Sequence, residues 1–78
     1  MKPRMMQPED IKQMIEHGLP GARVSVTGDG HHFEAEVIAS EFAGKSTLQQ
    51  HQIVYRTLGN KMGNEIHALS LRTLTPGE

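Results

Sequence analysis

The chain has 78 residues, with eight Lys or Arg against nine Asp or Glu, a formal charge of −1 and no cysteine. That length makes one thin-cored domain, burying roughly 60% of the surface its unfolded form exposes. Lack of cysteine excludes disulfide and thiolate chemistry, and near-neutral charge argues against a surface built for nucleic acid.

The first residues are Met1-Lys2-Pro3-Arg4-Met5-Met6, without the apolar segment of a signal peptide. Residues 1–7 read as a flexible tail and residues 8–78 as a single domain. No apolar run nears the roughly 20 residues of a membrane span, so the expected location is the cytoplasm, away from membrane. Pro8-Glu9-Asp10 opens a helix: proline suits the first turn and carboxylates suit the dipole there. Ile11, Met14, Ile15 and Leu19 follow at helical spacing, and Gly18 and Pro20-Gly21 end the helix.

Ala22, Val24 and Val26 alternate with Arg23, Ser25 and Thr27 as a first strand. Gly28-Asp29-Gly30 signals a tight turn. A second strand places Phe33, Ala35, Val37 and Ala39 on one face and Glu34 and Glu36 on the other, which gives an antiparallel hairpin. Phe42-Ala43-Gly44-Lys45 is a loop. Ser46 with Gln49 forms a capping box for a second helix, whose apolar arc holds Leu48, Tyr55, Leu58 and Met62, with Val54 at its edge. Gly59 breaks it, and Asn60-Lys61-Met62 reads as a short further helical turn.

The last strand, Glu65-Ile66-His67-Ala68-Leu69-Ser70-Leu71, puts His67, Leu69 and Leu71 on one face and Ile66, Ala68 and Ser70 on the other. The expected core is Phe33, Val37, Leu48, Leu58, Leu69 and Leu71. The order is helix, strand, strand, helix, short helix, strand: an α+β domain.

Gly44-Lys45-Ser46-Thr47 ends like a phosphate-binding loop, but that motif needs a glycine where Ala39 stands, so it reads as a turn feeding a serine cap. Five histidines carry most of the remaining chemistry. His17 suits a helix C-terminus. His31 and His32 are adjacent in extended chain and point to opposite faces, which disfavours joint chelation. His51 shares the Leu48 arc and reads as a core histidine bonded to a carbonyl. His67, at a strand mouth, is held by the sheet yet open to a partner. Any metal must be held through nitrogen, because no thiolate is on offer. No triad or zinc motif marks an enzyme.

Phe42-Ala43-Gly44-Lys45-Ser46, Gln50-His51-Gln52-Ile53-Val54-Tyr55, Ile66-His67-Ala68-Leu69-Ser70-Leu71 and Thr75-Pro76 together resemble the BolA family. Gly28-Asp29-Gly30-His31-His32-Phe33 is similar to the hairpin of its bacterial members. The resemblance spans roughly residues 8 to 76. It implies a fold like the class II KH domain: a three-stranded mixed sheet with helices packed on one face. It implies a monothiol glutaredoxin partner and a shared [2Fe-2S] cluster. The glutaredoxin and its bound glutathione supply thiolates, this chain supplies His67, and His31 or His32 stands where some members add a loop ligand. The isolated chain is then expected to hold no cofactor and to be a monomer or weak homodimer. Imidazole in place of thiolate raises a cluster's potential and makes it pH-sensitive, which suits transfer or sensing.

Many relatives have Arg-His-Arg where this chain has Gln50-His51-Gln52, so two charges of a proposed nucleic-acid surface are missing. Many also continue into another helix where this chain has Pro76-Gly77-Glu78. The leading expectation is an adaptor in iron–sulfur trafficking or iron-dependent regulation. The alternative is a transcriptional regulator that binds nucleic acid through the KH-like fold, with Lys45 and Arg56 as phosphate contacts. It lacks a clear GxxG clamp.

Overall fold

The computed structural model describes residues 6–63 and 65–77. Residues 1–5 of the expected tail lie outside that set. Met6 packs against the core, and Gln7 is the N-cap of the first helix, its amide donating to Asp10 Oδ2 at 2.8 Å. Helix α1 spans Pro8–Gly18, strand β1 Arg23–Gly28 and strand β2 His32–Ile38. A 3-10 turn at Ser40–Phe42 leads to helix α2 at Thr47–Leu58, and strand β3 runs Ala68–Leu74.

The sheet order is β1-β2-β3. β1 and β2 form the antiparallel hairpin, with Val24 opposite Val37 and Val26 opposite Ala35. β2 and β3 are parallel, which the intervening α2 makes possible. The result is a mixed three-stranded sheet with α1 against β1 and α2 against β3. One face buries Phe33, Ala35 and Val37 under Ile11, Ile15 and Leu19 of the first helix segment and Val54 and Leu58 of α2. The opposite face carries Ser25, Thr27, Glu34, Glu36, Ser70 and Arg72, and is open. There Arg72 Nε lies 3.8 Å from Glu36 Oε2.

Several expectations need correction. Leu48 is 68% exposed and Tyr55 37% exposed, so the arc assigned to α2 is rotated away from the core. The inward row is Gln50, Val54 and Leu58, one turn apart, with Ile53 beside it. Gln50 sets this phase. Its Nε2 donates to the carbonyls of Phe42 (3.2 Å) and Lys45 (2.9 Å), and its Oε1 accepts from Thr73 Oγ1 (2.6 Å). His51 accordingly lies at the half-buried border, edge-on to Tyr55 with ring centres 6.4 Å apart, and not in the core.

Ile66 is fully buried, so the alternation begins at Ala68 and not before it. Asn60-Lys61-Met62 is not helical: Met62 forms an isolated parallel bridge with Ile66, and Ile66 N donates to Lys61 O at 2.9 Å. Leu69 and Leu71 take the expected face but are only half-buried, because β3 is a sheet edge. Phe42, expected in a loop, is fully buried beneath the 3-10 turn.

Candidate functional site

The hairpin turn is built around one carboxylate. Asp29 Oδ1 accepts from the backbone amides of His31 and His32, each at 2.9 Å. These bonds, that from His32 first and that from His31 next, hold the Asp29 carboxyl below the usual carboxylate range. Gly30 has φ of 99°, which the turn requires and which a side chain would strain. Gly28 is needed for a different reason. A Cβ there would meet Phe33 Cδ1 at 2.5 Å and His32 O at 2.6 Å. The glycine lets the end of β1 close onto the aromatic ring that anchors β2.

The parallel register then brings two distant segments together. His32 pairs with Ala68 and Phe33 with Leu69. One residue earlier stand His31 and His67, at the same end of the sheet. Their ring centroids are 5.8 Å apart with planes tilted by 30°, and both residues are exposed. His31 belongs to the alternation row of Phe33; His32 belongs to that of Glu34 and Glu36. The sheet thus selects His31 and not His32 as the neighbour of His67. His17 lies at the far end of α1 and is exposed, in the last turn where a cation offsets the dipole.

Two imidazoles are a partial donor set. Among the described residues no group of three or more His, Cys, Asp or Glu could hold a metal ion. Any group that needs four ligands must take the remainder from another molecule. The two nitrogens fit a [2Fe-2S] cluster whose other terminal ligands are thiolates, a known division of nitrogen and sulfur between two irons.

The alternative pair is dispersed. Lys45 Nζ donates to Glu41 O at 2.9 Å, folding the ammonium over its own loop. Arg56 lies in the last turn of α2, nine residues and roughly 14 Å along the axis beyond the helix's first residue, Thr47, whereas Lys45 lies before the N-cap. The two cations do not form one patch. Arg56 instead lines a groove of about 750 Å³ that runs between α1 and α2 past Met14, His17 and Lys61. Neither His31 nor His67 lines it. In the same groove Lys61 Nζ and Glu65 Oε2 pair at 3.0 Å. No helix among the described residues is long and apolar enough to cross a membrane.

Residues 8–78 match the family model of the BolA-like proteins. The acid stress protein IbaG of Escherichia coli K12 is 34% identical over 74 residues, covering 94% of this chain and 88% of that protein. A protein of Vibrio cholerae called DNA-binding transcriptional regulator BolA is 35% identical over 75 residues, covering 92% of this chain and 65% of that one. The solved structure of a BolA homologue from Coxiella burnetii superposes with a TM-score of 0.84 at 53% identity, over 92% of this chain and 94% of that one.

Proposed function

The chain belongs to the BolA-like family, and on that premise we propose that it is a non-enzymatic adaptor that shares a [2Fe-2S] cluster with a monothiol glutaredoxin. The observation that carries this reading is the exposed pair His31 and His67 at one end of the sheet. The chain brings two nitrogens and no thiol, and a glutaredoxin with its glutathione brings thiolates. When bound, the cluster supplies an electron-accepting and transferable iron–sulfur unit.

The chain's own residues divide the remaining work. His67 immediately precedes β3, and His31 sits in a turn that Asp29 closes. A ligand held by a sheet loses little freedom on binding, so the pair is preorganised. His31 is the loop ligand in this reading, and His32 is not. Iron–sulfur trafficking or iron-dependent regulation follows as the role, because a cluster held between two proteins can be passed on when they separate.

The test is reconstitution with a monothiol glutaredoxin, glutathione, iron and sulfide, followed by circular dichroism in the visible range. His67→Ala and His31→Ala should each change the spectrum and shorten the cluster's lifetime, and His32→Ala should do neither. An unaltered spectrum in His67→Ala removes that residue from the site.

A second reading, transcriptional regulation through nucleic acid, draws its support from the name of the Vibrio relative. Separation of Lys45 from Arg56 and the charge of −1 weigh against it. A gel shift at physiological salt decides: nanomolar, sequence-specific binding would place this reading first.

A further inference from the structure

The outer edge of β3 and the flank of α2 above it form an open slot. Ala39 N donates to Leu74 O at 3.0 Å, so the carbonyl of Leu74 faces β2. In a parallel ladder that direction alternates along the strand, so the peptide groups of Leu69, Leu71 and Thr73 face away from the sheet. Among the described residues no backbone group pairs with them, because β3 has β2 as its one neighbour. The register is regular over all of β3, with no bulge, no proline and no charged side chain turned toward α2 to blunt the edge.

α2 supplies a roof. Thr57 is on the flank that faces α1, where a Cβ on Gly18 would meet its Cγ2 at 2.5 Å. Leu48 is nine residues earlier, about two and a half helical turns, so it is on the opposite flank, beyond β3. His51 and Tyr55 follow at helical spacing on that flank, their rings edge-on at 6.4 Å. Leu48 and Tyr55 are the large hydrophobic side chains left exposed among the described residues. The unpaired edge and the exposed apolar stripe thus meet at one place. We propose that β3 takes a fourth strand there, an extended, proline-free segment of a partner protein. Its apolar side chains, at alternate positions, lie under Leu48, His51 and Tyr55, and a carboxylate on the intervening row lies beside Arg72.

The carboxylate follows from charge. Arg72 is exposed on the open face, and its contact with Glu36 on β2 is long, 3.8 Å, so its other side is open to an anion on a neighbouring strand. A second copy does not fit the slot. α2 lies over β3, so pairing β3 with itself would set two α2 helices at about the strand spacing of 4.8 Å, and packed helices need about 8–10 Å. The stripe alone is also far short of the roughly 800 Å² per partner of a standard interface. An added strand instead takes its affinity from main-chain hydrogen bonds and its specificity from alternate side chains. This inference rests on β3 and α2 and not on the histidine pair or the glutaredoxin reading.

The experiment titrates the ¹⁵N-labelled chain with a capped synthetic peptide, Thr-Val-Glu-Val-Thr-Val, and follows the amides by NMR. Those of Leu69, Leu71 and Thr73 should shift and exchange more slowly with solvent, and those of Ala68, Ser70 and Arg72 should change less. A peptide with proline at its central valine should bind roughly tenfold more weakly, because a main-chain donor is lost. Leu48→Ala and Tyr55→Ala should weaken binding several-fold, with far-ultraviolet circular dichroism checking that each variant is folded. Arg72→Glu should weaken binding of this peptide and restore it for the peptide carrying lysine in place of glutamate. No binding at millimolar peptide, shifts that lack the alternation or fall in the groove between α1 and α2, or self-association of the chain through the same amides in sedimentation velocity overturns the proposal. Failure here leaves reconstitution with glutaredoxin unaffected, because that assembly is read from its cluster spectrum.

Discussion

Asp29 fixes the backbone from which His31 projects. Its carboxylate is stabilised in the charged form by two amides, so its folded-state pKa lies below its unfolded value. The sign follows: the contribution is fully present above the unfolded pKa and is lost as pH falls through the lowered folded value. Acid titration followed by NMR should move the amide resonances of His31 and His32 together, with a midpoint below the ordinary Asp range. A midpoint at or above that range would contradict the bonding pattern. Asp29→Ala should loosen the turn and shorten the lifetime of the reconstituted cluster, and Asp29→Asn, which keeps the acceptor oxygen, should restore much of it. The pairing of His31 with His67 could not be read from alternation or spacing; only the family resemblance put His67 and a loop histidine together. The two residues are 36 positions apart, and a parallel register is set by the α2 crossover, which leaves no local signal at either strand. Alternation alone did separate His31 from His32.

The strands were more legible than the second helix. The period of two in β2 correctly places Phe33, Ala35 and Val37 inward, because each inward position is apolar and each outward one between them is Glu. In α2 two arcs compete. Leu48 and Tyr55 offer an apolar stripe that in fact faces outward, and the true inward row contains a glutamine. A pattern search reads Gln50 as surface; three hydrogen bonds make it an internal clamp. Gln50→Ala should destabilise the protein by about 1–3 kcal/mol, since it strips partners from half-buried groups of the Phe42–Lys45 loop and Thr73. Urea denaturation measures this, with Leu48→Ala expected near zero as the control. Leu69→Ala, at the sheet edge, should cost about 1–2 kcal/mol, below the roughly 2–5 kcal/mol of a sealed core site. A cost as large as that for a fully buried leucine would mean β3 is covered by more than α2. Ile66 was misread because regular alternation was extended one turn too early, across the bend that precedes β3.

The whole molecule presents a polar open sheet face, a helix-covered face and an imidazole pair at one end. Its charge of −1 leaves little electrostatic drive toward phosphate. Binding to duplex DNA should therefore be weak and disappear by moderate salt. Nanomolar affinity retained at moderate salt would contradict this. In the proposed heterodimer both His31 and His67 give a nitrogen to a cluster held jointly with glutaredoxin. The decisive measurement labels the histidines of this chain alone with ¹⁵N, assembles and reduces the heterodimer, and records pulsed electron paramagnetic resonance. Two strongly coupled ¹⁵N nuclei are predicted in the parent protein, one in His31→Ala and one in His67→Ala, with two retained in His32→Ala. A spectrum without strong ¹⁵N coupling, or one that His67→Ala leaves unchanged, would rule out ligation by this pair.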